Sequence, residues 1–315
     1  MHLTLNCALY RFYIASRYYP TRIGEIIKEQ YQVVGKLGFG STSTAWLARD
    51  MNILIYDNYS GHRYVMLKIF VQASFMGQLV DDELKIYRHM EQSPKGHPGR
   101  DAHRRLVHPP LWDSVLTFLR RNPVERLPSA IVAFVLRRLF LALDYLHTEC
   151  QIIYIDIKAD NIMLGINDDS VFSDFEEKEL QRPVPRKEVD MNGRTIYMSR
   201  DLRMPNDLGA PVLCDFGSAV LGNQNHTEFI QPNIYRAPEE ILGVPWTYSV
   251  DIWNIWDIYE GGSLFTDQDP EFQTYRSRAH LADMINLLGP PPPSLLTQGE
   301  LRDIFFLEEG TSSFL

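Results

Sequence analysis

Residues 153–164 read Ile153-Tyr154-Ile155-Asp156-Ile157-Lys158-Ala159-Asp160-Asn161-Ile162-Met163-Leu164. Apolar residues of strand character flank a compact Asp-x-Lys-x-x-Asn. One carboxylate, one ammonium and one amide at these offsets suit transfer of a phosphoryl group. The carboxylate of Asp156 can orient a hydroxyl nucleophile. The ammonium of Lys158 can neutralise charge on the group in transit. The amide oxygen of Asn161 can ligate a metal.

Working outward, Val212-Leu213-Cys214-Asp215-Phe216-Gly217 sets an aspartate after a short apolar strand. Asp215 is a hard oxygen ligand of the kind magnesium prefers. Tyr235-Arg236-Ala237-Pro238-Glu239 follows. Upstream, Leu37-Gly38-Phe39-Gly40-Ser41-Thr42-Ser43-Thr44-Ala45-Trp46 places two glycines between two expected strands, Tyr31 to Lys36 and Thr44 to Ala48. Glycines so placed let a backbone come close to a phosphate. No Gly-Lys-Ser/Thr follows, which excludes a Walker A loop. The next element reads as strand, not helix, which disfavours a dinucleotide fingerprint. In a third strand, His62 to Val71, Lys68 needs water or an anion, because burying it unpaired is costly. Glu83, on the expected helix Val80 to Met90, is a possible partner. Each motif alone has a bland reading as a hairpin turn, a snorkelling lysine or a solvated acid. The ordered set does not.

The frame around these motifs is that of a globular chain. It has 315 residues, 45% hydrophobic and 23% charged, with a net charge of −9. That balance disfavours direct nucleic-acid binding and suits basic partners. Cys7, Cys150 and Cys214 are dispersed and odd in number, which suggests a reducing compartment. Ala130 to Leu143 is interrupted by Arg137 and Arg138, so it reads as a buried helix and no membrane span is expected. The first residues carry Arg11, Arg17 and Arg22 with no acid before Glu25, which faintly resembles an organelle transit segment, but without a regular amphipathic repeat they read as a tail packed beside the domain.

Asn58 to Gly61 reads as a turn. Asp113 is expected to cap a short helix through Arg120, and Ser129 a long one through His147. Asp168 to Ala210 reads as polar and irregular, with an acidic run at Asp174 to Glu179. Strands come first and helices later, an α+β order of two segregated lobes.

Taken together, these residues resemble a protein kinase, and within that superfamily the SR-protein kinases and their fungal relatives. The carriers are Lys36 to Asp50, Asp156-Ile157-Lys158 and Ile230-Gln231-Pro232-Asn233-Ile234-Tyr235-Arg236, with Tyr18 to Glu25 as lead-in. The resemblance implies a bilobal fold: a tail over 1–17, a β-rich N-lobe over 18–111 and a mainly helical C-lobe over 112–315, with a spacer-like insert at 167–210. It implies ATP and Mg2+ between the lobes. Leu37, Gly38, Phe39, Gly40, Ser41 and Ala45 would contact the nucleotide, and Lys68, paired with Glu83, would hold the α- and β-phosphates. His108 takes the gatekeeper position, and Pro109, Pro110 and Leu111 form the hinge, the amide of Leu111 donating to adenine. Asp156 would be the catalytic base, Lys158 the γ-phosphate contact, and Asn161 and Asp215 the metal ligands. The implied substrates are proteins, Arg-Ser-rich splicing or RNA-processing proteins among them. A monomer in the cytoplasm or nucleus, with no membrane and no direct nucleic-acid contact, completes the expectation.

The chain departs from the pattern in places. The usual His-Arg-Asp is Tyr154-Ile155-Asp156, which removes the arginine that reads a phosphorylated loop. The loss of the histidine bears on packing against Asp-Phe-Gly. Little chain separates Met90 from Leu106, so one sheet strand is expected to be missing. The helix from Asp251 is expected to be about four residues short, close to one turn of 3.6 residues. Two or three further helices would be expected after Leu315, including an arginine to pair with Glu239. The alternatives to an active serine/threonine kinase are a pseudokinase or interaction scaffold, and an inactive truncated product.

Overall fold

The computed structural model describes residues 17–40, 42–52, 64–71, 73–94, 96–98, 107–123, 126–189, 194–256, 258, 264–265 and 268–306. The expected tail, apart from Arg17, and the turn at Asn58 to Gly61 lie outside them. The fold is α+β, and the chain divides into two compact units. The first holds residues up to 85, 104–112 and 164–210; the second holds 86–103, 113–163 and 211–315.

The first unit is built on an antiparallel sheet in the order β1 (Ile26–Ile27), β2 (Tyr31–Phe39), β3 (Ser43–Asp50), β4 (Tyr64–Phe70), β5 (Val107–His108). Its strands are rich in valine, isoleucine, tyrosine and threonine, which suit a pleated, half-buried surface. β5 pairs directly with β4, His108 opposite Met66 and Val107 opposite Leu67. Among the described residues the sheet ends there, and most of the connection where a strand was expected to be missing lies outside them. Its exposed edge is only two residues long, which limits edge-to-edge pairing.

The helix after β4, α1 (Ala73–Gln92), starts well before the expected Val80, so the acids near Asp81 do not sit in its first turn. The division between the units runs through it after Lys85.

The second unit is mainly helical. α2 (Val115–Arg121) is capped by Ser114, whose hydroxyl accepts from the amide of Thr117 at 3.1 Å, and not by Asp113. The serine is one residue closer to the first turn, where its short side chain meets an orphan amide. α3 (Ser129–Asp144) includes Ser129 as a helical residue after Pro128, so Ser129 is no cap. Its buried residues Val135, Leu139, Ala142 and Leu143 fall on one face. No helix among the described residues is long and apolar enough to cross a membrane. A π-helical turn, Tyr145–Glu149, ends α3. β6 (Ile152–Ile153) and β7 (Ile162–Ile166) bracket the motif quoted first.

The described residues of 167–210 are not irregular throughout. They form α4 (Ser170–Gln181) and a hairpin of β8 (Arg186–Glu188) with β9 (Thr195–Tyr197), and lead into β10 (Leu208–Leu213), which pairs with β7. The acidic run hides a buried stripe of Val171, Phe172, Phe175 and Glu179. Glu179 is held by Arg200 at 2.9 Å and by the amide of Val184 at 3.0 Å. This segment belongs to the β-rich unit, not to the stretches of chain on either side of it. Its Val184 and Tyr197 join Val33, Trp46, Ala48, Val65 and Leu67 of the sheet in one core cluster.

Beyond β11 (Val220–Leu221), which pairs with β6, come α5 (Pro238–Leu242), α6 (Ser249–Trp253), α7 (Ser277–Leu288), α8 (Pro293–Leu296) and α9 (Arg302–Phe305). α6 is five residues long, and much of the chain that follows it lies outside the described residues. Ile241, Leu242, Val244, Phe265, Leu281, Met284 and Phe306 form the core beneath α5 and α7.

Candidate active site

In the first unit, the glycine turn joins β2 to β3. The amide of Gly40 donates to the carbonyl of Ser43 at 2.8 Å, and the hydroxyl of Tyr18 donates to the carbonyl of Gly40 at 2.9 Å. A Cβ at Gly38 or Gly40 would meet nothing within 4 Å, and neither residue has a positive φ. Packing among the described residues therefore does not demand glycine there. Leu37, Gly38 and Phe39 end β2, Ala45 lies on β3 opposite Lys68, and Ser41 lies outside the described residues.

Lys68 pairs with Glu83 at 2.5 Å. Their side chains are 15% and 3% exposed, so the pair is largely desolvated. Removing one partner of such a pair leaves the other charge buried, which is strongly unfavourable. His108 is buried, with Nδ1 2.7 Å from the carbonyl of Pro109, and Leu111 is buried too.

In the second unit, the triad of the opening motif is assembled as its spacing implies. The ammonium of Lys158 lies 2.7 Å from one carboxylate oxygen of Asp156 and 3.0 Å from the other. The Asn161 amide nitrogen donates to the same carboxylate at 2.9 Å and to the Asp156 carbonyl at 2.8 Å. That engagement turns the amide oxygen of Asn161 away from Asp156. The carbonyl of Asn161 accepts from the amide of Cys214 at 2.8 Å, which ties Asp215, the next residue, to the triad. Asp215 has a φ of +64°, a conformation few side chains adopt.

Tyr154 keeps the packing that the missing histidine put in question. Its ring meets Phe216 edge-on at 5.2 Å, and Phe216 in turn packs on Tyr87 at 5.6 Å. Its hydroxyl donates to the carbonyl of Cys214. Full burial, helped by the nearby Asp156 and Asp215 carboxylates, pushes its pKa well above the usual value, so the hydroxyl keeps its proton.

Asp251, in sequence only the start of a helix, anchors the backbone of the opening motif. Fully buried, it accepts from the amide of Tyr154 at 2.8 Å and from that of Ile155 at 2.6 Å. His147, carried by the π-helical turn, lies 2.8 Å from the same carboxylate. An acid in the first turn of a helix otherwise rich in Val, Ile and Trp was the signal available.

The segment leading to α5 holds a second buried acid. Glu240 is 3% exposed, lies 3.1 Å from the Arg236 guanidinium and accepts from the amide of Ile230 at 3.2 Å. Burial raises its pKa to about 7, against the lowering pull of Arg236. His280, buried on α7, moves the other way: burial lowers it to about 4. Glu240 thus contributes stability that is complete below the ordinary carboxyl pKa and is lost as pH rises through about 7. His280 contributes stability that is present above the ordinary imidazole pKa and is lost as pH falls through about 4. Glu240→Gln, which mimics the protonated acid, is expected to flatten the fall in melting temperature between about pH 5 and pH 8. An unchanged slope in a melt series would refute this. Glu239, expected to need an arginine, accepts from the hydroxyl of Ser249 at 2.9 Å.

The sequence-based site residues thus fall into two groups. Leu37, Gly38, Phe39, Gly40, Ala45, Lys68, Glu83 and Leu111 are in the first unit, and Asp156, Lys158, Asn161 and Asp215 are in the second.

The protein kinase domain model matches residues 111–286. A serine/threonine protein kinase of Aspergillus fumigatus is 37% identical over 303 residues, covering 89% of this chain and 70% of that protein. The serine/threonine-protein kinase SRPK of Physarum polycephalum is 27% identical over 332 residues, covering 95% of this chain and 76% of that protein. SRSF protein kinase 3 of Mus musculus is 31% identical over 172 residues, covering 50% of this chain and 29% of that protein.

Proposed function

This chain belongs to the protein kinase family and is a serine/threonine kinase acting on protein substrates, and on that premise we propose which of its residues do the work and which substrates it selects. Members of the family use ATP, typically with Mg2+.

The observation that carries the assignment is the compact triad around Asp156. Its carboxylate holds Lys158 and Asn161 in one geometry. It is the group to accept the proton of the substrate hydroxyl. Lys158 stands beside it as the cation for the γ-phosphate. The donor set fits magnesium: Asp215 supplies a carboxylate and Asn161 an amide oxygen turned away from Asp156, both hard ligands. When bound, magnesium neutralises phosphate charge. Lys68, fixed by Glu83, holds the α- and β-phosphates. Leu37, Gly38, Phe39, Gly40, Ser41 and Ala45 approach the nucleotide, and Leu111 meets adenine.

For substrates we assign Arg-Ser-rich proteins. The resemblance to SR-protein kinases supports this, and so does the net charge of −9, which favours basic partners. We assign the chain to the cytoplasm or nucleus. The three cysteines are dispersed and odd in number, which supports a reducing compartment.

The test is transfer of labelled γ-phosphate to an Arg-Ser repeat peptide and to the same peptide with glutamine for arginine. Transfer to the first, at least about tenfold faster than to the second, is expected. Equal rates would sink the substrate class and keep the kinase. Transfer to neither by a folded chain would leave a scaffold.

A further inference from the structure

The insert grips the strand that leads into the glycine turn, and it does so from both faces of the sheet. Residues directly opposite each other in an antiparallel pair share a face. Leu47 and Arg49 therefore lie with Met66 and Tyr64 on the face of Lys68, and Trp46 lies with Leu67 on the other.

On the first face, Phe175 of α4 packs against Gly35: a Cβ at Gly35 would lie 2.7 Å from the ring. The neighbouring Glu176 carboxylate pairs with Arg49 and accepts from the Tyr64 hydroxyl.

On the second face, the register of β2 against β3 shifts between Val33 and Gly35, and again between Lys36 and Gly38. The first shift brings Lys36 opposite Trp46. Its side chain is 2% exposed, and Nζ donates to the carbonyl of Tyr197 at 3.3 Å. Its own carbonyl accepts from the amide of Arg200 at 2.9 Å. The ring of Tyr197 meets Trp46 edge-on at 5.9 Å.

Gly35 and Lys36 thus sit between two irregularities, where the ladder alone constrains β2 least. Leu37 and Gly38 follow at once. We propose that Phe175 and Tyr197, carried by the insert, are positioning residues for the nucleotide: they fix Gly35 and Lys36, and through them the glycine turn. Neither touches the nucleotide; both act through β2. The proposal rests on the reading of the glycine turn given above.

The test overpacks the contact and then relieves it. Gly35→Ala is expected to raise the KM for ATP about tenfold while the KM for peptide and kcat stay within about twofold. Adding Phe175→Leu to the same chain should return the KM for ATP to within about twofold of the starting value. Phe175→Ala, which loosens the contact instead, should move the KM in the same direction and guards against a Gly35→Ala chain that does not fold.

Hydrogen exchange without nucleotide supplies a readout that needs no catalysis. The Gly40 amide, bonded to Ser43, should exchange about tenfold faster in Gly35→Ala and recover in the double variant. Should the unaltered chain transfer no phosphate, the kinase reading fails and exchange alone decides the clamp. An unmoved KM for ATP in a folded Gly35→Ala chain overturns the proposal. So does a defect that Phe175→Leu leaves in place, or exchange that quickens uniformly across the sheet.

Discussion

Asp156→Asn is expected to slow phosphoryl transfer by about 100- to 10,000-fold, the range for loss of a positioned general base. Nucleotide affinity should stay within about twofold, because the change is nearly isosteric and lies outside the glycine turn. The asparagine oxygen can still accept from Lys158 and from the Asn161 amide, which hold the present carboxylate at 2.7 Å and 2.9 Å. It cannot take a proton at neutral pH. The fall should therefore appear in kcat with KM for ATP unmoved, the pattern of an interaction made only in the transition state. The Asp156–Lys158 pair is partly exposed, at 20% and 27% of the side chains. Loss of that charge should thus leave the melting temperature nearly unchanged, as for most solvated ion pairs. Single-turnover transfer to the Arg-Ser peptide, with a melt alongside, checks both halves. Full activity in the variant would remove Asp156 from the proton transfer.

The cluster of Asp156, Lys158 and Asn161 was legible in the sequence because its members lie within six consecutive residues, and a short turn brings them together whatever the rest of the chain does. The Lys68–Glu83 pair was legible for a related reason. A lysine in an apolar strand needs an anion, and the next element offered a glutamate. The architecture of residues 167–210 was not legible. Its helix carries Phe172 and Phe175 among five charged residues, and its helical stripe becomes meaningful only against a sheet more than a hundred positions away. Lys36 was read as an ordinary strand residue for the same reason. Its burial follows from a register shift in β2, which no periodicity announces, and that burial lowers its pKa to about 8. Tyr154 was read as a loss. The sequence shows that a histidine is missing, but not that a phenol of greater reach can pack against Phe216 and still bond the carbonyl before Asp215.

The same limit explains Asp251, whose partners lie about a hundred positions upstream, and whose replacement should have the largest effect on the fold of the catalytic loop. Ile155 has a φ of +72°, a left-handed conformation that a β-branched residue adopts only under constraint, at a cost of about 1–3 kcal/mol. Two contacts impose it. The Asp251 carboxylate holds the amides of Tyr154 and Ile155, and the amide of Asn254 holds the carbonyl of Ile155 at 3.3 Å. Asp251→Ala leaves two buried N–H groups without an acceptor, each worth about 1–3 kcal/mol. It also frees the strain at Ile155. The two orphaned groups cost about 2–6 kcal/mol and the relaxation of Ile155 returns about 1–3, which predicts a net loss of about 2–4 kcal/mol. In a chain of this size that is a fall of about 3–6 °C in melting temperature. Asp156 is the next residue, so relaxation of Ile155 displaces the carboxylate. Transfer measured well below the melt should therefore fall by at least about a hundredfold, since small misplacements have large kinetic effects. Asp251→Asn keeps one acceptor oxygen and should lie between the two in both readouts. A Asp251→Ala chain that melts normally and transfers phosphate at the original rate would show that the loop is held by its own packing, and that the left-handed Ile155 needs no anchor.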